Sequence, residues 1–329
     1  MDFYFQIQIT MKKLSCIILL FVSILSYSQI NISIEGNDKI VYLDSTMQEA
    51  TQDNYKYYRI VKDYYSEQKE YKFLVYYKNN QIKEESTLSG KDGGSPNGQE
   101  INYYENGKKQ RIITYIDGRP IGKTISWYKD GNLNEKGEYT GKYEIPGKNY
   151  KLNQYWDEKN NQLIIDGNGF YSSSDKNDHQ ETGKYKDGYK DGVFEGKSLK
   201  ENTSYKEMYE NGKFISGIRT FSDNIKVEYF EIETKPEPKK GIQHFYKFIG
   251  KNYRTPDIPR GHKGKVIVKF VVEKNGEINE VSILKDIGFD TGEEAIRVLE
   301  KYGDWQPGMQ RGQNVRCYFT LPISIQSTY

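Results

Sequence analysis

A short pattern recurs between Ile30 and Ile232 and constrains the fold more than any other feature of the chain. Each copy has a pair of aromatic or apolar residues, a turn of Asn, Asp and Gly, and then alternating side chains. The clearest copies begin at Tyr76, Tyr103, Trp127, Tyr155 and Met208. Asn-Gly and Asp-Gly favour the two positive φ angles that a type I′ turn requires, so each copy is predicted to form a β-hairpin.

The copies are also regularly spaced. Gly107 and Gly131 are 24 positions apart, and so are Gly188 and Gly212. A single hairpin cannot bury its own apolar face, so hairpins at a fixed period must pack on their neighbours. The pattern therefore predicts an all-β repeat array in which the aromatic pairs form the seam between neighbouring hairpins.

The composition agrees with a folded β-protein. Aromatic residues make up 14% of the 329 residues, and the chain has 30 Tyr, which is unlike the aromatic-poor composition of disordered chains. The 48 basic and 46 acidic residues leave a net charge of +2. Nucleic-acid-binding domains need clustered positive charge, which the sequence lacks, so we expect no nucleic-acid partner.

Residues 1–28 have the pattern of a secretory signal peptide, with the true start at Met11. Two lysines precede an apolar run from Leu14 to Leu25, and small residues precede a cleavage site after Ser28. The run is shorter than the roughly 20 residues that a membrane-spanning helix needs, so an uncleaved inner-membrane anchor is the weaker alternative. We expect export to the periplasm or cell envelope.

The repeated copies resemble the variant MORN repeats of the YwqK-like antitoxin group. The resemblance covers most of the segment from Tyr76 to Gly217 and is clearest at Gly183–Gly196, Tyr103–Gly122 and Leu163–Gly169. It implies that residues 29–232 form a MORN-like β-hairpin array that serves as a scaffold or contact surface.

A charged, Pro-containing stretch from Thr234 to Gly241 follows the array. Proline removes a backbone donor and restricts φ, so neither a strand nor a helix is expected here. Residues 233–241 are therefore predicted to be a linker before a second domain, residues 242–329.

The C-terminal segment predicts a small α+β domain. Apolar residues at helical spacing indicate helices over Ile242–Tyr253 and Glu293–Tyr302, and alternating apolar residues indicate strands over Lys265–Glu273, Ile278–Leu284 and Val315–Ile323. Asn275-Gly276 is a strong hairpin signal between the first two strands. We expect a three-stranded antiparallel sheet of consecutive hairpins, with helices on one side.

This order resembles the C-terminal domain of TonB, the energy transducer for outer-membrane receptors, over Gly241–Ile325. The resemblance is carried by Pro256, Gly264–Gly276, Val281, Glu294–Leu299, Trp305–Gly308, Gly312 and Phe319–Ile323. The sequence departs from the family at Thr255, where the family usually has Tyr. It departs further in its N-terminal part, where TonB has an uncleaved membrane helix and a Pro-rich arm.

The candidate binding site is the edge of the last strand. A terminal strand has an unpaired row of backbone N–H and C=O groups that can pair with an extended peptide. The resemblance implies that this edge recruits the short N-terminal "TonB box" of an outer-membrane receptor. The predicted site residues are Val315, Arg316, Cys317, Tyr318, Phe319, Thr320 and Leu321. A plain edge strand, or one paired in a homodimer, is the alternative.

No pattern in the sequence indicates catalysis, a metal or a cofactor. Gly118–Thr124 is one residue short of a phosphate-binding loop and precedes a predicted strand, so we expect no nucleotide. His179, His244 and His262 are far apart in sequence, and Cys317, the only cysteine after cleavage, has no predicted catalytic partner. A pair of carboxylates of the glycosidase kind, brought together by folding, stays open.

Taken together, the sequence predicts an exported, non-enzymatic protein-binding module. Its last strand would pair with an extended peptide of an outer-membrane receptor or another envelope protein, with a role in TonB-dependent transport. The alternative is a non-transducing envelope scaffold that binds peptidoglycan or another protein.

Overall fold

The computed structural model describes residues 36–143, 146–174, 179–303 and 305–326. The predicted signal segment, residues 1–28, lies outside the described residues. The chain divides into two compact units, residues 1–109 and 110–329. The predicted linker, residues 233–241, therefore lies inside the second unit. In the part of the chain that the structure describes, no helix is both long and apolar enough to cross a membrane.

The first unit is an antiparallel meander. Its five strands pair in chain order from β1 to β5. Their bounds are β1 (Lys39–Leu43), β2 (Tyr57–Val61), β3 (Tyr71–Tyr77), β4 (Ile82–Leu88) and β5 (Gly98–Tyr103). Alternate residues of β3 are buried, and Val61, Tyr71 and Phe73 form a small core.

The second unit begins with a longer meander, β6 to β17. Strands β7 and β8 both pair with β6, and from β8 onward each strand pairs antiparallel with the next. The bounds are β6 (Lys109–Ile116), β7 (Arg119–Pro120), β8 (Gly122–Trp127), β9 (Leu133–Tyr139), β10 (Tyr150–Trp156), β11 (Gln162–Ile165), β12 (Asn168–Ser174), β13 (His179–Lys186), β14 (Tyr189–Ser198), β15 (Thr203–Glu210), β16 (Lys213–Thr220) and β17 (Lys226–Tyr229). The predicted hairpin array is confirmed as a fold; we call β6–β17 the array below.

The turn type is as predicted in one copy and different in the others. Asn211 and Gly212 both have positive φ, 46° and 84°, as a type I′ turn requires. In the copy that begins at Tyr103, only Gly107 has positive φ. There the Tyr104 N–H donates to Lys108 O at 2.8 Å and the Gly107 N–H donates to Tyr104 O at 2.8 Å. This is the longer turn in which a type I bend ends in a left-handed residue.

Aromatic rings cover glycines along one face of the array. A Cβ added at Gly196 would lie 2.0 Å from the ring of Tyr205, and one at Gly217 would lie 2.2 Å from the ring of Tyr229. Each of these two aromatic residues is the direct cross-strand partner of its glycine. A side chain at the glycine would displace the ring, so the Gly and Tyr of neighbouring strands belong to one packing unit.

The C-terminal part of the second unit is the predicted α+β domain. It contains two helices and eight strands, of which five are short. In chain order they are β18 (Glu233–Thr234), β19 (Glu237–Pro238), α1 (Ile242–Asn252), β20 (Lys263–Val272), β21 (Ile278–Lys285), α2 (Thr291–Glu300), β22 (Trp305–Gln306), β23 (Gly308–Gln310), β24 (Gln313–Val315) and β25 (Cys317–Gln326). Phe245 of α1, Leu299 of α2, Phe270 of β20 and Trp305 are buried together in one core.

The strand order differs from the predicted run of consecutive hairpins. The sheet has the order β21–β20–β25, so β20 is central and β25 pairs with β20. The physical reason is visible in the burial. Strand β20 ends in Phe270, Val271 and Val272, all fully buried, whereas most residues of β21 are exposed. A strand buried on both faces occupies the centre of a sheet, and an exposed strand lies at its edge.

The predicted linker contains two short strands, so the expectation that no strand could form there is wrong. Thr234 of β18 pairs with Met309 of β23, and Pro238 of β19 pairs with Trp305 of β22. Proline is tolerated because these pairs lie at sheet edges, where not every N–H has to be donated. Residues 233–238 are thus bound to the α+β domain.

Candidate functional site

Strand β25 has one paired side and one open side. Its ten residues pair with β20 without a break in register, from Cys317 opposite Val272 to Gln326 opposite Lys263. Among the described residues, no strand pairs with its other side. The predicted edge is therefore present at Cys317–Leu321, with its backbone available for a further strand.

Pro322 indicates which backbone groups face the open side. It has no N–H, yet it lies within the continuous register opposite Ile267. Proline fits a sheet at an edge when its nitrogen faces away from the neighbouring strand. Because backbone direction alternates along an antiparallel strand, Thr320 and Tyr318 also direct their N–H and C=O groups to the open side.

The side chains of β25 separate into two faces. Phe319 and Leu321 pack against the domain core, whereas Tyr318 is 61% exposed and Thr320 is also exposed. The Lys269 ammonium lies 4.1 Å from the centre of the Tyr318 ring, which is a cation–π distance. A peptide added at this edge would meet an aromatic side chain and a positive charge on the solvent face.

A groove runs along the open side. Its volume is about 590 Å³, and it lies between residues 315–320 on one side and residues 233–236 on the other, with Gln310 between them. The segment that carries β18 forms its second wall. We call this space the edge groove.

The charges around the edge groove are mixed. The Arg316 guanidinium donates to Glu273 at 2.9 Å and also contacts Glu280, and hydrogen bonds to these two carboxylates raise the pKa of Arg316 above its ordinary value. Burial raises the pKa of the Cys317 thiol, and the nearby Glu233 raises it further. A thiol kept protonated in this way is a poor nucleophile.

Two predicted site residues lie outside β25. Val315 ends β24 and pairs with Gly308 of β23, and Arg316 lies between the two strands. The predicted last strand, Val315–Ile323, is therefore two strands with a break at Arg316. Both residues line the edge groove but do not belong to its edge strand.

The β23–β24 hairpin, which the sequence did not predict, connects the edge groove to the array. Its tip residue, Arg311, reaches Glu207 of β15, with 2.7 Å between Nε and Oε1. The Glu207 carboxylate is fully buried and also accepts hydrogen bonds from the hydroxyls of Tyr229 (2.7 Å) and Tyr209 (2.9 Å). Arg311-Gly312 is not one of the usual turn dipeptides, so the local sequence carried little signal for this hairpin.

Burial by itself raises the pKa of Glu207. The hydrogen bonds from Arg311, Tyr229 and Tyr209 outweigh burial, and the pKa lies below its ordinary value. Glu207 is therefore a charged group in the interior, stabilised by one cation and two hydroxyls.

The other groups considered in the sequence are not brought together. Residues 119–120 and 122–127 form strands β7 and β8, as expected for a segment that is not a phosphate loop. His244 lies near Tyr302, His179 near Tyr205 and His262 near Phe289. Among the described residues, no group of three or more His, Cys, Asp or Glu side chains could hold a metal ion.

Residues 255–324 match the family described as Gram-negative bacterial TonB protein C-terminal. This match confirms the resemblance predicted for the C-terminal domain. A search of curated proteins found no match for the chain. The resemblance of the hairpin array to MORN repeats stays a prediction.

Proposed function

We propose that this chain is an exported, non-catalytic binding module of the cell envelope. Its C-terminal domain would capture an extended segment of an outer-membrane receptor or another envelope protein by adding it as a strand to β25. The array would act as a spacer or a second contact surface. The family match supports an envelope partner, and the edge groove supports the mode of binding.

The single observation that carries the proposal is an open strand edge that faces a groove. Tyr318 and Thr320 can each offer one donor and one acceptor to a guest strand, and Pro322 interrupts the row of donors. Each new backbone hydrogen bond contributes about 0.5–1.5 kcal/mol net. A guest strand of only a few residues is therefore expected to bind with micromolar to millimolar affinity, unless side chains such as Tyr318 add to it.

The test uses a proline placed on the open side of the strand. Thr320→Pro removes one outward donor and leaves the hydrogen bonds between β25 and β20 in place. Synthetic peptides from the N-terminal segments of outer-membrane receptors are titrated against the full chain by NMR. We expect about a tenfold loss of affinity, because the guest carbonyl loses its partner.

Ser324→Pro is the matched control. Ser324 faces the same side as Pro322 and Thr320, but it lies beyond the edge groove. This variant should therefore bind the peptides as the wild type does, although its cost in folding stability should be similar to that of Thr320→Pro. Equal losses in both variants, or no binding of any peptide to the wild type at millimolar concentration, would contradict strand addition at this edge.

A further inference from the structure

Carboxylates with little solvent exposure recur on the face of the array that carries the tyrosine rings: the side chain of Glu181 is 15% exposed and that of Glu207 is fully buried. Glu181 accepts a hydrogen bond from the Tyr205 hydroxyl at 2.9 Å and lies 2.8 Å from the Lys190 ammonium. The carboxylate and its cation both belong to the array. A buried carboxylate needs such a cation, because its desolvation is otherwise uncompensated.

Glu207 is the equivalent site near the end of the array, but its cation comes from the other domain. Its tyrosine partners, Tyr209 and Tyr229, are in the array, whereas Arg311 is at the tip of the β23–β24 hairpin. The guanidinium also lies 4.1 Å from the centre of the Tyr205 ring. The α+β domain thus completes a charge site that the array begins.

The backbone of Arg311 is held in an unusual conformation. Its φ is 47°, in the left-handed region that Asn and Gly occupy more readily than Arg. The Arg311 N–H also donates to Ile232 O at 2.7 Å, at the end of the array. Strain of this kind persists where other contacts over-determine the geometry, and it is a reason to look for a function.

In sequence, Arg311 lies between strands β23 and β24, which connect to the two walls of the edge groove. Strand β23 pairs with β18, which belongs to the wall formed by residues 233–236, and β24 leads through Arg316 into the edge strand β25. Gly312 packs close to Val227 and Tyr229 of the array. A hairpin fixed at its tip therefore fixes both walls at once.

We propose that Arg311 is a positioning residue: its insertion beside Glu207 lets the array hold the edge groove in the geometry that admits an extended peptide. This inference rests on the proposed function, since it names what controls that same site. A groove held in place before binding costs less entropy to occupy, so loss of the contact should weaken peptide binding.

The test variant is Arg311→Asn in the full chain. Asn removes the cation but suits the left-handed backbone, so any effect comes from the lost contact and not from a broken turn. Lys190→Met is the matched control, because it removes the cation from Glu181 within the array. Amide hydrogen exchange is followed in residues 233–238 and 308–315.

We expect exchange in these two segments to become at least tenfold faster in Arg311→Asn and to stay as in the wild type in Lys190→Met. Unchanged exchange in Arg311→Asn would overturn the inference, and so would an equal increase in both variants. Should Arg311→Asn fail to fold, Glu207→Gln provides the same test. It removes the charge and keeps one of the two oxygens to which Tyr209 and Tyr229 donate, and the same outcomes apply.

The binding measurement separates this inference from the proposed function. With a receptor peptide that the wild type binds, affinity should fall at least tenfold in Arg311→Asn and less than twofold in Lys190→Met. Equal affinity in Arg311→Asn and the wild type would overturn the positioning role. If the wild type binds no peptide, the proposed function fails, and the exchange measurement alone decides whether the array holds the groove.

A pH profile distinguishes the charge contact from simple packing. Without Arg311, burial would dominate and the pKa of Glu207 would rise, so a protonated Glu207 would no longer need a cation. The exchange difference between Arg311→Asn and the wild type should therefore shrink as the pH is lowered from 8 to about 5.

The other titratable groups around Glu207 are the same in the wild type and in Arg311→Asn, so they contribute equally to both pH profiles. Tyr209 and Tyr229 donate hydrogen bonds to Glu207. Tyr205 interacts with Glu207 electrostatically, and its hydroxyl contacts Glu181 and His179. The double variant Arg311→Asn/Glu207→Gln lacks the carboxylate that titrates. The difference in amide exchange between this variant and the wild type should therefore not shrink as the pH is lowered. If the ratio of the exchange rates of Arg311→Asn and the wild type stays constant with pH, the role of the charge contact is contradicted.

Discussion

At the scale of single residues, the array depends on glycines that leave room for rings. Gly196 and Tyr205 are directly opposite each other, and the ring occupies the space that a methyl group would need. The ring cannot easily move away, because the Tyr205 hydroxyl is hydrogen-bonded to Glu181 and lies 3.0 Å from His179 Nε2. Tyrosines at such positions therefore require a glycine on the neighbouring strand, because only glycine leaves room for the ring.

Gly196→Ala should destabilise the second unit by about 1–3 kcal/mol, the usual cost of overpacking. Chemical denaturation followed by tyrosine fluorescence measures this. Gly250→Ala is the control, since Gly250 lies within helix α1 and has no atom close to its added Cβ. Alanine there should stabilise the protein by about 0.5–1 kcal/mol. A neutral Gly196→Ala would show that the ring can relocate at no cost.

At the scale of secondary-structure elements, β25 is an edge strand with a built-in limit. Pro322 interrupts the outward donors after Thr320, which shortens the stretch that another strand can use. Natural proteins use proline at edges in this way to prevent unwanted pairing between copies. Under the proposed strand addition, the same residue would interrupt the pairing of a guest peptide with β25.

Pro322→Val should lengthen the usable edge. Valine restores an outward N–H and favours the extended backbone, so both receptor-peptide affinity and self-association through β25 should increase. Sedimentation velocity over a concentration series measures the self-association. Thr320→Pro in the same background should reverse the increase. A Pro322→Val protein that associates no more than the wild type would show that Pro322 does not limit this edge.

At the scale of the whole molecule, the α+β domain is completed by residues that precede its first helix. Strands β18 and β19 pair with β23 and β22, and Pro238 lies opposite the fully buried Trp305. The family match begins later, at residue 255. The stable C-terminal domain should therefore be longer than the segment that defines the family.

A fragment of residues 230–329 should be more stable than one of residues 242–329. The shorter fragment loses the four backbone pairs of β18 and β19 and uncovers one side of Trp305. We expect its midpoint of thermal unfolding to be lower by at least about 5 °C, which corresponds to about 1 kcal/mol for a domain of this size. Trp305, the only Trp in either fragment, reports the transition by fluorescence. Equal midpoints would place the domain boundary after residue 241.

Much of the fold and part of the site could be predicted from the sequence. The hairpins of the array, both helices, the three main strands of the α+β domain and the exposed edge follow from local periodicity. The strand order β21–β20–β25, the short strands of residues 233–238 and the break at Arg316 could not be predicted in this way. The strand order and the short strands depend on pairings between residues 45 to 77 positions apart, which leave no periodic signal.

The type of each helix and strand follows from the local sequence, because turn residues and alternation act within a few positions of each other. The contact between the array and the β23–β24 hairpin depends on the tertiary fold instead. Arg311 and Glu207 are 104 positions apart, and neither residue stands out in its own segment. Burial makes their contact matter, since a carboxylate excluded from water needs a cation from wherever the fold can supply one.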